Sequence, residues 1–411
     1  MIRMIWKISV RRILRYKIYS AINVFGLSLG FTAFILIGLF VRYELNWDKS
    51  NYKYDRIYRV QRHFTKTTHT VDANDISPHT RPITAQLLEK QFPEFEKISI
   101  IQENQGKFLA QTPDKQIFDT KGICADSCFF DVFTYTFLEG SQTGALTEPF
   151  LVVLSKTMAD KLFPDKSALG ETVTLEKKLP LKVSGVYKDL PENSSLRPSY
   201  IISFSSLAKV GGTTLNDISD ANCMTYALLT PDIDHKNLSH KIKNVFAGFR
   251  GIESEELQLC PMKNLYLNFN GRNEYISILA LYWLIGLFIM MMSAFNYINL
   301  TIATVSARSK EVALKKVCGS SKSAIVIQFL GETIIISLMA LTFAYEFVLI
   351  ILPLFNRIID KNIRLNFNND WGFIIISTLI SLSVGALSAI YPAMVLSSQK
   401  ILALFKGGIF V

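Results

Sequence analysis

The stretch Tyr275–Ala307, YISILALYWLIGLFIMMMSAFNYINLTIATVSA, runs 33 residues without a charged side chain. A helix rises about 1.5 Å per residue and bilayer hydrocarbon is about 30 Å thick, so roughly 20 apolar residues suffice to cross it. Three further stretches meet the same demand. Ser20–Val41 has no charge in 22 positions, Trp371–Gln399 has none in 29, and Ser323–Phe355 is apolar apart from Glu332 and Glu346. Lipid offers no partner to an exposed backbone N–H or C=O, so each stretch is expected as a helix. The fold class that follows is an α-helical membrane protein with four transmembrane helices in a one-plus-three layout. The spans are expected at residues 20–41, 275–307, 323–355 and 371–399, with an outer loop at 356–370 and a tail at 400–411. The first span is too long for a signal-peptide core and no small-x-small site precedes Arg42, so it is expected to stay in place.

The chain has 411 residues and a formal net charge of +10, a balance that invites a nucleic-acid reading until the charges are located. Residues 1–19, 308–322 and 400–411 together hold thirteen basic groups against one acid, whereas Arg42–Glu274 holds 28 basic and 29 acidic residues. Segments on alternate sides of four spans therefore differ sharply. The positive-inside rule places both termini in the cytoplasm and the large insertion on the opposite side of the membrane. The net charge is a topology signal with anionic lipid contact added, and nucleic acid is not needed to explain it. Residues 1–19, with Ile2, Ile5, Trp6, Ile13 and Leu14 between Arg and Lys, read as an amphipathic helix lying on the inner leaflet.

The insertion, residues 42–274, is long enough for its own core and for two subdomains, with Gly211-Gly212 as a connection. Strands are expected at Arg56–Thr65, Leu151–Leu154, Glu171–Leu175 and Leu181–Val186. A helix capped by Ser155 should run through Phe163, and Asp234–Phe246 has helical spacing. The alternation is that of an α+β domain. His63, His69, His79, His235 and His240 are scattered on polar segments and form no catalytic or metal pattern. Cys124, Cys128, Cys223 and Cys260 lack a redox or metal spacing, which leaves buried thiols or a single bridge. Asn193-Ser194-Ser195 is a formal glycosylation sequon. No catalytic residues, no metal site and no cofactor of its own are expected.

Within the spans, Gly26 and Gly30 share one helix face, and Ser381, Gly385, Ala389 and Ala393 recur every fourth residue. Small residues let helix backbones approach closely in lipid, either within one chain or between two. Glu332 and Glu346 each cost about 2.5–3.5 kcal/mol near a helix centre on insertion scales. Glu332 is near enough to the cytoplasmic end to reach the interface or the basic loop, and Glu346 is deeper toward the outer side. Both are read as structural or gating residues, since no third ionisable group completes an ion path. The loop Arg308–Lys322, RSKEVALKKVCGSSK, reads as a short helix closed by Gly319, with Glu311 and Lys315 at i, i+4 and Val312, Leu314 and Val317 as partial apolar surface. Such a helix either lies on lipid or docks in a groove of a cytosolic partner, and physics alone does not choose.

At this loop the sequence resembles the FtsX-like permeases of ABC transporters, in particular the MacB type, through Glu311-Val312-Ala313-Leu314-Lys315-Lys316-Val317-x-Gly319 and Gln328-Phe329-Leu330-x-Glu332. Other stretches in family order are Arg11-Arg12-Ile13-Leu14-Arg15, Asp55-Arg56-Ile57-Tyr58-Arg59-Val60, Val152-Val153-Leu154-Ser155, Leu169-Gly170-Glu171-Thr172-Val173, Asp189-Leu190-Pro191-Glu192-Asn193-Ser194 and Ala389-Ile390-Tyr391-Pro392-Ala393. The resemblance implies that residues 42–274 form a MacB-type periplasmic core domain. It also implies that Glu311, Val312, Leu314, Lys315, Lys316, Val317 and Gly319 form a coupling helix for a separate cytosolic ATPase. ATP would be bound there, because Gly319-Ser320-Ser321-Lys322-Ser323 lacks the first glycine and spacing of a phosphate loop. The chain is then no enzyme but a permease that exports or extracts a peptide, lipoprotein or drug-like cargo by mechanical work. Similar chains often continue into a second four-helix half, so a second copy or half is expected as partner. The resemblance leaves open a periplasmic adaptor or outer-membrane channel. A receptor, or a regulator of cell-wall hydrolases that transports nothing, is the rival reading.

Overall fold

The computed structural model describes residues 11, 15–64, 76–103, 108–112, 116–119, 121–176, 178–210, 212–267, 274–304, 312–368 and 370–398. It divides into two units, one of Met1–Glu44 with Ser277–Val411 and the other of Leu45–Ile276. Helix α1 (Lys17–Leu45) leads into strands β1 (Ile57–Phe64) and β2 (Ile76–Ser77), helix α2 (Thr84–Gln91), and strands β3 (Phe95–Glu103), β4 (Phe108–Gln111), β5 (Gln116–Asp119) and β6 (Gly122–Ala125). Then come α3 (Phe129–Val132), β7 (Phe137–Gly140), β8 (Leu151–Ser155), α4 (Lys156–Leu162), β9 (Thr172–Leu175), β10 (Leu179–Tyr187) and β11 (Tyr200–Ser203). The domain closes with α5 (Ser205–Lys209), β12 (Met224–Leu229), α6 (His235–Ile242), β13 (Glu255–Pro261) and α7 (Met262–Leu265). Helices α8 (Glu274–Ala303), α9 (residues 312–317), α10 (Lys322–Ile359) and α11 (Trp371–Ser398) complete the chain.

Helices α1, α8, α10 and α11 are long and apolar enough to cross a membrane. Helices α1 and α10 extend past the runs that predict them, whereas α8 stops short of its run and α11 stays within its own. Helix α1 continues beyond Val41 because Arg42 has a partner in Asp370 at 2.6 Å and sits over the Phe373 ring, while Glu44 faces Lys361 at 3.6 Å. Helix α10 runs on to Ile359 and ends where Asp360 turns left-handed, at φ 51°. Helix α8 ends at Ala303, and residues 305–311, 399–411 and most of the expected 1–19 helix lie outside the described residues. Helix α1 supplies the centre of the bundle: Leu27, Phe31, Phe34 and Ile35 are buried and cluster with Met290, Ile336, Ala340 and Ala344. Helices α8 and α11 turn long rows of Ile, Leu, Phe and Met outward, as a lipid-facing surface requires.

In the inserted domain a single sheet path links thirteen strands, in the order β13-β1-β12-β3-β6-β11-β8-β10-β9-β4-β5, with β2 on β1 and β7 on β10. The domain is α+β as expected, and its buried residues form two cores, one on each face of the sheet. Most ladders are antiparallel; β8 runs parallel to β10, with α4 in the crossover between them, and β6 runs parallel to β11. Local signals hold at residue level. Ser155 caps α4 by accepting a hydrogen bond from the Met158 amide at 3.2 Å, and Asp234 caps α6 through the Lys236 amide. The side chains that alternate into the larger core include Val152, Leu154, Val183, Ile202 and Phe204.

Candidate functional site

The segment between the second and third spans is two-faced. Val312 and Ala313 are buried with Ile325 and Phe329 of α10 and Ala393 of α11. Leu314 and Val317 stand out from the same helix at 58% and 62% exposure. On a helical period Leu314 falls roughly opposite Val312, while Val317 stands exposed one turn beyond the buried Ala313, so the apolar surface is divided between docking onto the bundle and facing outward. Gly319 ends the helix at φ +87°. Its amide donates to the Lys316 carbonyl and that of Ser320 to Lys315, the paired bonds of a Schellman turn that a side chain at Gly319 would strain. Two residues later Ser321 starts α10 by accepting a hydrogen bond from the Ala324 amide at 3.2 Å. The turn is therefore short and specified at both ends, which fixes α9 to α10.

A polar relay joins the two helices. The Lys315 ammonium donates to Gln328 Oε1 at 2.8 Å, and Gln328 Nε2 donates to Glu332 Oε1 at 3.1 Å. Glu332 is buried. Of the two routes open to it, interface or basic loop, it takes the second through Gln328, a residue whose bridging role no spacing rule reveals. Next to the relay, burial and the Lys322 charge lower the pKa of Lys316. Glu311 lies outside the described residues. Glu346 is exposed on α10, while its neighbour Tyr345 turns inward to the Ile374 carbonyl and the Ser377 hydroxyl of α11.

The small-residue positions meet partners in the same chain. A Cβ added at Gly30 would lie 2.5 Å from the Cβ of Ser293 on α8, and one at Gly26 would lie 3.4 Å from the Asn296 amide nitrogen. A Cβ at Gly385 would lie 2.9 Å from the Cβ of Ser337 on α10. Ser381, Ala389 and Ala393 are buried too. The α11 row therefore packs within the chain at Gly385 and Ala393, the latter also supporting α9.

Where the chain enters the domain, residues 46–48 and 193–195 form a clasp. The Asp48 amide donates to the Asn193 carbonyl at 2.8 Å, and the Asn193 side-chain amide donates back to the Asn46 carbonyl at 3.0 Å. Asp48 receives the Ser195 amide and hydroxyl at 2.7 and 2.6 Å and the Ser194 hydroxyl at 3.3 Å. Burial raises the Asp48 pKa, and these donors pull against it. Trp47 stacks on Tyr266 at 3.7 Å, so the clasp also holds the segment by which the chain leaves the domain. The sequon asparagine is thus spent on the fold. No disulfide joins the five cysteines, of which Cys124 and Cys223 are buried and Cys318 is exposed. Among the described residues no group of three His, Cys, Asp or Glu side chains could hold a metal ion. His63 lies 3.4 Å from Glu256, and His235 packs by the Tyr58 ring.

Four membrane helices in a one-plus-three order, a large α+β insertion after the first, and a helix fixed between the second and third define a multi-pass membrane protein with an inserted domain. Profiles of two families cover this architecture: the MacB-like periplasmic core domain matches residues 20–245 and the FtsX-like permease C-terminal region matches residues 283–401. The chain belongs to the MacB/FtsX-type family of ABC-transporter permeases. It is 24% identical over 195 residues to the macrolide export ATP-binding/permease protein MacB of Bdellovibrio bacteriovorus, covering 46% of this chain and 28% of that one. It is 21% identical over 235 residues to an uncharacterized ABC transporter permease, YvrN, of Bacillus subtilis, covering 52% of this chain and 53% of that one. The chain thus spans about a quarter and about half the length of these relatives. Among solved structures, a permease domain from Porphyromonas gingivalis matches with a TM-score of 0.44 and 20% identity over 51% of this chain and 91% of that one. The periplasmic region of MacB from Actinobacillus actinomycetemcomitans matches with a TM-score of 0.40 and 13% identity over 53% and 94%.

Proposed function

We propose that the chain is the permease subunit of an ATP-driven mechanotransmitter, with a separate cytosolic ATPase docking on the outward face of α9. The observation that carries this reading is the two-sidedness of that helix. Leu314 and Val317 are offered outward, while Val312, Ala313 and the Lys315–Gln328–Glu332 relay tie the helix to α10 and α11. A push on the exposed face is then passed to the spans instead of being absorbed by a loose loop. The clasp at residues 46–48 supports the second half of the reading, since it fastens the chain to the domain as soon as the first span ends. The asymmetry of basic residues supports cytoplasmic termini, a cytoplasmic α9 and an extracytoplasmic domain. Work is done with a second copy or half, and the cargo is a peptide, lipoprotein or drug-like molecule exported or extracted by the moving domain.

The test replaces both outward residues, Leu314→Asp with Val317→Asp, in the full chain co-expressed with its ATPase. The expected result is normal membrane insertion with loss of co-purification and of permease-stimulated ATP hydrolysis. Unchanged co-purification and hydrolysis refute the assignment and favour a helix that only lies on lipid.

A further inference from the structure

One end of four strands in the inserted domain carries a cleft that the coupling reading does not use. Register places Ser155 beside Tyr187, Leu154 beside Tyr200, and Tyr200 beside Gly122, so the ends of β8 and β10 and the starts of β11 and β6 lie at one level. Two residues separate Asp119 of β5 from Gly122 of β6, although five strands stand between them in the sheet. The connection forces the sheet to curl until β5 returns beside β6. Phe118 of β5, 69% exposed, thereby joins these strand ends around a cleft of about 710 Å³. Mouths of curled sheets and clefts of roughly 300–1,000 Å³ are the usual seats of small ligands.

The lining combines apolar and cationic groups. Met158, Leu190 and Phe118 are apolar, and Lys121, Lys161 and Arg197 are cationic. The single carboxylate in the lining, Asp189, is turned to the start of α4, where Oδ2 accepts the Thr157 amide at 3.1 Å and hydroxyl at 2.9 Å. Lys121 and Lys161 have partners within the chain. Arg197 is exposed, and among the described residues no ion pair involves it. A guanidinium beside an apolar wall suits a carboxylate or phosphate attached to an apolar body, because its planar fork gives two parallel hydrogen bonds to either acid group.

We propose that this cleft is a binding site for a small anionic amphiphile, with Arg197 taking its acid group and Phe118 and Met158 its apolar part. The site stands independently of the coupling reading. The test uses the full chain in nanodiscs of zwitterionic lipid, titrated with naphthoate, naphthyl phosphate and the charge-reversed naphthylmethylammonium, with empty nanodiscs subtracted. Saturable binding of the anions in preference to the ammonium is expected, and the tighter of the two anions identifies the acid group. Arg197→Glu should weaken that binding about tenfold or more, Arg197→Ala by less, and Phe118→Ala should weaken both anions equally, whereas Lys209→Ala on α5 should change nothing. Equal binding of the ammonium, absence of saturable anion binding, or unchanged affinity in both Arg197 variants overturns the proposal.

Discussion

Replacing Gly30 by alanine tests how tightly the membrane unit is assembled. The new methyl would lie 2.1 Å from the Ser293 hydroxyl and 2.5 Å from its Cβ. Carbon atoms rest about 3.5–4.0 Å apart, so α1 and α8 must separate by about 1 Å. Rotating the serine moves only its hydroxyl, which is already bonded to the Ile289 carbonyl at 3.2 Å, and leaves the Cβ contact in place. Overpacking of this kind costs about 1–3 kcal/mol. Gly385→Ala is a graded comparison: its methyl meets the Ser337 Cβ at 2.9 Å, so a smaller shift relieves it and a smaller cost is expected. The assay is thermal unfolding of the full chain in nanodiscs, extended to a double-mutant cycle with Ser293→Gly. That second change removes the opposing Cβ and should return most of the stability lost by Gly30→Ala, a coupling of about 1 kcal/mol or more. A neutral Gly30→Ala, or a double variant no better than the sum of the singles, refutes the close approach of α1 and α8.

Glu255 lies between two buried guanidiniums, 3.0 Å from Arg62 and 2.7 Å from Arg81, and Glu255→Ala leaves both without their shared carboxylate. The expected loss is about 3–5 kcal/mol, read from urea unfolding, with Glu255→Gln falling between it and the unchanged chain. Asp126 has its pKa pushed up to about 7, first by burial and against the Ser99 hydroxyl bond that opposes the rise. A raised pKa means the folded state keeps the proton, so this contribution to stability is full below about pH 4 and is lost as pH rises through about 7. Asp126→Asn should flatten that decline and stabilise the domain above neutral pH, checked by unfolding midpoints from pH 4.5 to 8.

The four spans are legible in the sequence because hydrocarbon imposes one rule on every residue it touches, and an uncharged run of that length suits little besides a membrane crossing. Their ends are less legible. Arg42 and Glu44 look like the start of a polar segment, yet both stay in α1 because Asp370 and Lys361, more than three hundred residues away, stand opposite them. The caps at Ser155, Gly319 and Asp234 are readable since the chemistry that stops or starts a helix is local. Long-range geometry is not. Val312 and Leu314 are both apolar and two residues apart, and only the packing of Phe329 and Ala393 tells the inward one from the outward one. The same limit hides Gln328 as a bridge and the Asp48 clasp, each of which joins segments by contacts that leave no period in the sequence.

The most direct test of the docking face places a photo-crosslinking amino acid at position 314 or 317, and in a separate chain at Ile327, which is also exposed but lies on α10. After irradiation of membranes holding the chain and its ATPase, crosslinks to the ATPase are expected from 314 and 317 and not from 327. ATPase crosslinks from 327 alone, or from none of the three positions, contradict docking on α9.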